Sequence, residues 1–292
     1  MTTSDAKRPR SYRLQHVRIV IVIALAAVLL GGCGSGVVDH SRVVDRSRSA
    51  TLPYDGRLDA GAAVGALECG GKTPYRRGVG VYDDGLAKVQ ESAEAALDNY
   101  MRESGLSFSA PSDAYAVERE QDGGVLFSYD VDGRTKVAIF AANGVRDWNG
   151  DEGWGLRAWA QCDPSELPPD VTDDLNIGVW EGESGRRVPV TRIQSFQGAE
   201  HCDSTDITFL LVGREEKADW YVRDTGGDVS NLLQTTFSRE ATLPADASDT
   251  GLRREGRQLW IAPDKQAAYL LSLDDPEDVE RWPAAKQPIR CA

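Results

Sequence analysis

YAVEREQDGGVLFSYDVDGRTKVAIFAANGVRDWNGDEGWGLRAWAQ, residues 115–161, contains four short segments that alternate or run apolar: Tyr115–Glu120, Val125–Asp130, Arg134–Ala141 and Gly155–Gln161. Between them lie Gly123-Gly124, Asp132-Gly133 and a longer loop carrying Asn143-Gly144 and Asn149-Gly150, dipeptides that supply the positive φ of hairpin turns. Strands joined by such short turns pair antiparallel, so the stretch predicts a four-strand meander. Immediately before it, Leu86, Val89, Ala93, Ala96, Leu97, Tyr100 and Met101 recur at the spacing of one helix face. That pattern predicts a helix over about 85–104, capped by Asp83 or Asp84 and stopped by Gly105. The fold class expected is therefore α+β, a helix packed on an antiparallel meander, followed by a second β-rich domain.

The second half shows five more apolar segments: Ile177–Trp180, Ile207–Val212, Trp220–Arg223, Gln258–Ala262 and Ala267–Leu273. Pro263-Asp264-Lys265 joins the last two as a hairpin, and Ile207–Val212 reads equally as a strand or as the continuation of a short capped helix. Three prolines and several acids in Asp163–Asp174 place a linker there. The expected domains are thus 61–165 and 175–292.

Upstream of both, Lys7, Arg8, Arg10, Arg13 and Arg18 precede an unbroken apolar run from Ile19 to Leu30. Twelve apolar residues are too few to span a bilayer, which needs roughly 20, and the order of basic then apolar residues is that of a signal peptide, here 1–32. Leu30-Gly31-Gly32-Cys33 resembles the lipobox at which bacterial lipoproteins are acylated and cut. It implies a lipid on Cys33, with chains such as palmitate, and a chain held on the outer face of the cytoplasmic membrane. Residues 33–60 are small and charged without sustained period, as suits a flexible tether.

The chain carries 33 basic and 46 acidic side chains; without the five bases and one acid of residues 1–32 it has 28 against 45, a formal charge of −17. Such a field disfavours nucleic acid, whose binding needs Lys and Arg to neutralise phosphates. With Cys33 acylated, Cys69, Cys162, Cys202 and Cys291 remain, an even number that outside the cytoplasm reads as two disulfides. Of the three possible pairings, Cys69–Cys162 with Cys202–Cys291 respects the apparent domains. The absence of any C-x-x-C or H-x-x-x-H pair argues against zinc, and no metal or cofactor is expected.

Chemical candidates are few. His16 lies in the signal peptide and His40 in the tether, which leaves His201 as the one histidine on which a Ser-His-Asp relay could be built. No G-x-S-x-G or S-x-x-K motif accompanies it. Asp-Thr-Gly occurs at 224–226 and 249–251, too close together for the paired lobes of an aspartic protease, and turn chemistry explains both copies. Asp130-Val131-Asp132-Gly133 starts like a calcium loop but departs from it at Arg134. Arg223 beside Asp224 offers either a bidentate clamp for an anion or an internal salt bridge. Seven tryptophans could stack sugars, although their places in or beside strands suit core packing.

The segments LECGG (67–71), VDGR (131–134), CDP (162–164), EHC (200–202), YVRD (221–224), LPADASDTG (243–251), VERWP (279–283) and the terminal CA together resemble a group of uncharacterised secreted actinomycete lipoproteins. The resemblance spans nearly the whole mature chain; it implies an exported two-domain lipoprotein and assigns no activity. The expectation is a non-enzymatic module that binds an envelope protein or a cell-wall component. The alternative is a hydrolase or glycan binder centred on His201, Arg223 and Asp224.

Overall fold

The structure, a computed structural model, describes residues 61–71, 74–80, 88–103, 110–121, 123–198, 205–214 and 217–289. The signal peptide, Cys33, the tether, His201, Cys202 and Cys291 lie outside the described residues, as do Asp83, Asp84, Leu86 and Gly105. No described helix is long and apolar enough to cross a membrane.

The meander forms as β2 (Ala116–Gln121), β3 (Gly124–Val131), β4 (Arg134–Arg146) and β5 (Glu152–Gln161), all antiparallel. A further strand, β1 (Arg76–Val79), pairs with β5, so the sheet has five strands in the order β1-β5-β4-β3-β2. Asp132 and Gly133 both take positive φ, 51° and 71°, as a two-residue hairpin turn of this hand requires. Asn143-Gly144, expected in a loop, is instead a bulge within β4: the register shifts between Ala142 and Val145, and the strand runs on so that Val145 reaches the core. The true turn follows at 147–151, where the Asp147 carboxylate accepts the N–H groups of Asn149 and Asp151.

Two helices cover this sheet, one on each face. Helix α2 (Ala93–Glu103) buries Ala93, Leu97 and Tyr100 against Val137, Ile139, Ala141 and Leu156. It starts later than the sequence predicts. Gln90 exchanges two backbone hydrogen bonds with Trp154, which keeps that segment extended, and Ser92 Oγ accepts the Ala95 N–H as the cap. Helix α1 (Gly61–Ala66) is not foreseen in the sequence. It lies on the opposite face, against Leu126, Ala138, Phe140, Ala142, Ala158 and Ala160. The alanines of helix and sheet let the two backbones approach closely, and a run as uniform as GAAVGA has no period to announce it. Burial on both faces also explains why β4 reads as a continuous apolar run. Each fully buried Leu or Ile here stabilises the fold by about 1.5–3 kcal/mol. Cys69–Cys162 forms as expected, a disulfide across 93 residues.

The segment 163–174, expected as a linker, folds as a 3-10 turn (Pro164–Glu166) and a short helix α3 (Pro169–Asp174). Leu167 and Val171 join the core beneath α2, while Arg187 donates to Leu167 O and to Thr172 Oγ1.

Beyond it come two four-stranded antiparallel sheets. The first holds β6 (Ile177–Gly178), β7 (Ile193–Gln197), β8 (Ile207–Val212) and β9 (Asp219–Asp224). The second holds β10 (Ser248–Arg254), β11 (Arg257–Ile261), β12 (Ala267–Ser272) and β13 (Val279–Pro283). Ile207–Val212 is a strand, with Leu210 turned inward and Ile207, Phe209 and Leu211 packed on the outer side. The sheets meet at both lateral edges. After β6 the chain pairs Glu181 with Arg253 of β10, and after β13 it pairs Ala284 with Tyr221 of β9. Eight strands thus go round a closed ring, filled by Trp180, Ile193, Leu210, Tyr221, Leu252, Leu259, Ala268 and Trp282.

Candidate functional site

Successive residues of a strand face opposite ways, so the inward positions of the ring can be followed along each strand. They are apolar through the middle and turn polar toward one end: Leu210 gives way to Thr208, Tyr221 to Arg223, Leu252 to Arg254, Leu259 to Arg257, and Trp282 to Glu280. This end holds a cavity of about 500 Å³, within the usual range of ligand pockets and in a usual place for one, the mouth of a β-barrel. Asp173 and Asn176, from the end of α3 and the turn after it, stand beside it.

Three guanidinium groups line the mouth: Arg223 of β9, and the cross-strand partners Arg254 of β10 and Arg257 of β11. Arg223 donates its Nε to Glu280 Oε2 at 3.4 Å and stands over the Phe237 ring at 5.6 Å. Arg254 donates to Ser195 Oγ at 2.9 Å and pairs with Glu255 at 2.5 Å. Arg257 donates to Leu270 O at 3.1 Å and to Asp278 at 2.7 Å. Glu280 is the buried acid of the group and accepts a second bond, from Trp282 Nε1, at 2.8 Å.

Gly178 makes the arrangement possible. A Cβ at this position would collide with Ser195 Oγ and stand 2.6 Å from the guanidinium carbon of Arg254. Trp180 also lines the mouth; it is 1 % exposed and, among the described residues, its indole N–H has no hydrogen-bond partner. Deeper in the ring the Tyr221 hydroxyl is likewise unpartnered, and burial raises its pKa far above the ordinary tyrosine value.

Of the residues singled out from the sequence, Arg223 enters the mouth and Asp224 does not. The two are neighbours on β9 and face opposite ways. Asp224 is buried, and its carboxylate accepts the N–H groups of Gly227, Asp228 and Val229 at 2.8–3.0 Å, closing the turn after the strand. The second Asp-Thr-Gly serves a β-bulge: Asp249 accepts from Gly251 N and Gln258 Nε2, Thr250 Oγ1 donates to Leu259 O, and Gly251 has a φ of 67°. Asp130 accepts from Thr135 Oγ1 at 2.9 Å beside its hairpin. Cys69, Cys162 and Glu166 form a cluster with the geometry of metal ligands, but both sulfurs are joined to each other. Glu166 is occupied by Lys136 Nζ at 2.6 Å and by Gly70 N at 2.8 Å.

Arg254, Arg257 and Glu280 escape the sequence reading because a charged residue in an otherwise apolar strand looks like a solvated face. The alternation itself was the available signal: Arg254 is two residues from Leu252, and Glu280 two from Trp282, so each charge shares the inward face of a core residue. Comparisons of the chain with protein-family models, with curated proteins and with solved structures find no match, which leaves the mouth to be read from its own chemistry.

Proposed function

We propose that this chain is a lipid-anchored protein of the bacterial cell envelope that binds a ligand without transforming it, and that the mouth of the ring is its binding site. The observation that carries this reading is the convergence of Arg223, Arg254 and Arg257 on one walled cavity of about 500 Å³. Ser195, a hydroxyl turned into that cavity, accepts a hydrogen bond from the Arg254 cation, a group that cannot take its proton. The address rests on the basic and apolar leader and on Leu30-Gly31-Gly32-Cys33. The Cys69–Cys162 bridge supports an oxidising compartment.

A photo-crosslinking side chain placed at Thr208 in the mouth, and separately at Trp148 in the exposed turn of the first sheet, tests both parts in intact cells. The expected result is one recurrent adduct from position 208, absent from position 148, on a chain that fractionates with membranes and is released from them by Cys33→Ala. The same adducts from both positions, or none from 208, would overturn the site. Membrane association that survives Cys33→Ala would overturn the anchor.

A further inference from the structure

Resting on that reading of the mouth, we infer that its ligand is a small organic acid: a single carboxylate held by Arg223, carried on an apolar body that lies against Trp180 and Leu270.

The charges of the mouth are sorted by depth. The side chains of Arg223, Arg254 and Arg257 are only 32 %, 27 % and 26 % exposed, whereas the acids that line the same cavity are Glu280, 11 % exposed, and two rim groups, Glu255, 72 % exposed, and Asp173, which is open to solvent. Exposed charges are screened by water and salt, and buried ones much less so. Each cation has an acid beside it, Glu255 on Arg254, Asp278 on Arg257 and Glu280 on Arg223, and the loosest of the three pairs is Arg223–Glu280 at 3.4 Å.

Among the three, Arg223 is the least engaged. Glu280 takes its Nε, and among the described residues nothing accepts from its two terminal amino groups. A guanidinium with both terminal amino groups free presents the parallel N–H fork that fits a carboxylate. The unpartnered indole N–H of Trp180 adds a further buried donor in the lining. A buried polar group without a partner is costly, and a bound acceptor relieves that cost.

The existing pairs decide how much charge the ligand carries. Glu255 and Asp278 already take Arg254 and Arg257, which leaves the terminal amino groups of Arg223 as the fork for one carboxylate. About half of the uncharged lining is apolar, Trp180 and Leu270 among it, and the rest is polar, from Asn176, Ser195, Gln197 and Thr208. The apolar half suits a hydrocarbon body, a surface that a free inorganic ion would leave unused.

The test uses the full exported chain carrying Cys33→Ala, which needs no detergent, titrated calorimetrically with octanoate, octanol and inorganic phosphate. Octanoate is expected to bind at least tenfold more tightly than octanol, with no heat from phosphate. Arg223→Met is expected to weaken octanoate by at least tenfold and to leave octanol unchanged. Because Arg223→Met strands the Glu280 carboxylate, Arg223→Met/Glu280→Gln removes the pair together and must show the same selective loss. Equal binding of octanol and octanoate, no octanoate binding at millimolar concentration, or indifference to both Arg223 variants would overturn the inference. If any of these occurs while the crosslink from position 208 persists, the acid is wrong and the site stands; loss of that crosslink as well brings down both.

Discussion

Gly178→Ala isolates the contact on which the geometry of the mouth depends. Gly178 does not use positive φ, so alanine fits its backbone, and the substitution by itself stabilises by about 0.4–1 kcal/mol through the unfolded state. The new Cβ would overlap Ser195 Oγ and press on Arg254 at 2.6 Å, so the guanidinium must swing away and its bond to Ser195 breaks. A hydrogen bond involving a charged group contributes about 1.5–3 kcal/mol. The net expectation is a loss of about 1–2 kcal/mol, a fall in Tm of roughly 2–8 °C for a chain of this size. Urea unfolding of the wild type, Gly178→Ala, Ser195→Ala and the double variant measures it. In the Ser195→Ala background the bond is already gone, so Gly178→Ala should there be neutral or slightly stabilising, with a coupling of about 1.5–3 kcal/mol between the two sites. A coupling below about 0.5 kcal/mol, the limit for independent sites, would refute the account.

Other expectations follow from the core and the turns. Cys69→Ala/Cys162→Ala should lower stability by up to about 4.7 kcal/mol, the chain-entropy figure for a loop near 93 residues, read as a shift of the urea midpoint; a shift under about 1 kcal/mol would mean that the loop stays compact when unfolded. Asp224→Ala should cost about 2 kcal/mol because three backbone N–H groups lose a charged acceptor, and Asp224→Asn, which keeps one acceptor oxygen, should cost about half as much. Equal losses in the two variants would show that the turn does not depend on those bonds. Tyr115 is buried and its pKa is raised, first by desolvation and then by Tyr129. Both folded and unfolded states keep its proton below about pH 10; above that only the folded state does, so stability should fall by about 1.4 kcal/mol per pH unit. Urea midpoints at pH 9, 10 and 11 check this, and the slope should shrink in Tyr115→Phe.

How far the sequence revealed this architecture depended on what each strand had to do. The meander was plain because Val125–Asp130 and Arg134–Ala141 are built mainly of buried apolar residues, and Asp132-Gly133 carries the positive φ of its turn. Strand β1 was hidden: its residues, Arg-Arg-Gly-Val, are mostly exposed, and Gly78 is small because a Cβ there would stand 2.6 Å from Trp159 Nε1. Strands β7, β10 and β13 were hidden for a different reason. Each spends an inward position on the mouth, Ser195, Arg254 and Glu280 respectively, and, unlike β8 and β9, which spend Thr208 and Arg223, keeps too few apolar residues for the alternation to be recognised. The bulge in β10 further disguised it, since Asp-Thr-Gly reads as a turn. The candidate site was therefore least legible where it was built, and Arg223 was noticed for its neighbour Asp224, which faces away from the mouth.

Ring closure bears on how many such molecules can share a surface. Chains held by one end on a membrane, as proposed here, meet one another at a high local concentration, and an unpaired strand edge is then a template for a neighbour's backbone. The eight strands of the ring engage their lateral edges with each other through Glu181–Arg253 and Tyr221–Ala284. The five-stranded sheet ends on β1, short and carrying Arg76 and Arg77, and on β2, which is bulged between Val117 and Arg119 and bears Glu118, Arg119 and Glu120. Both kinds of edge discourage strand exchange, so a dense lawn of these molecules can remain a population of separate folds.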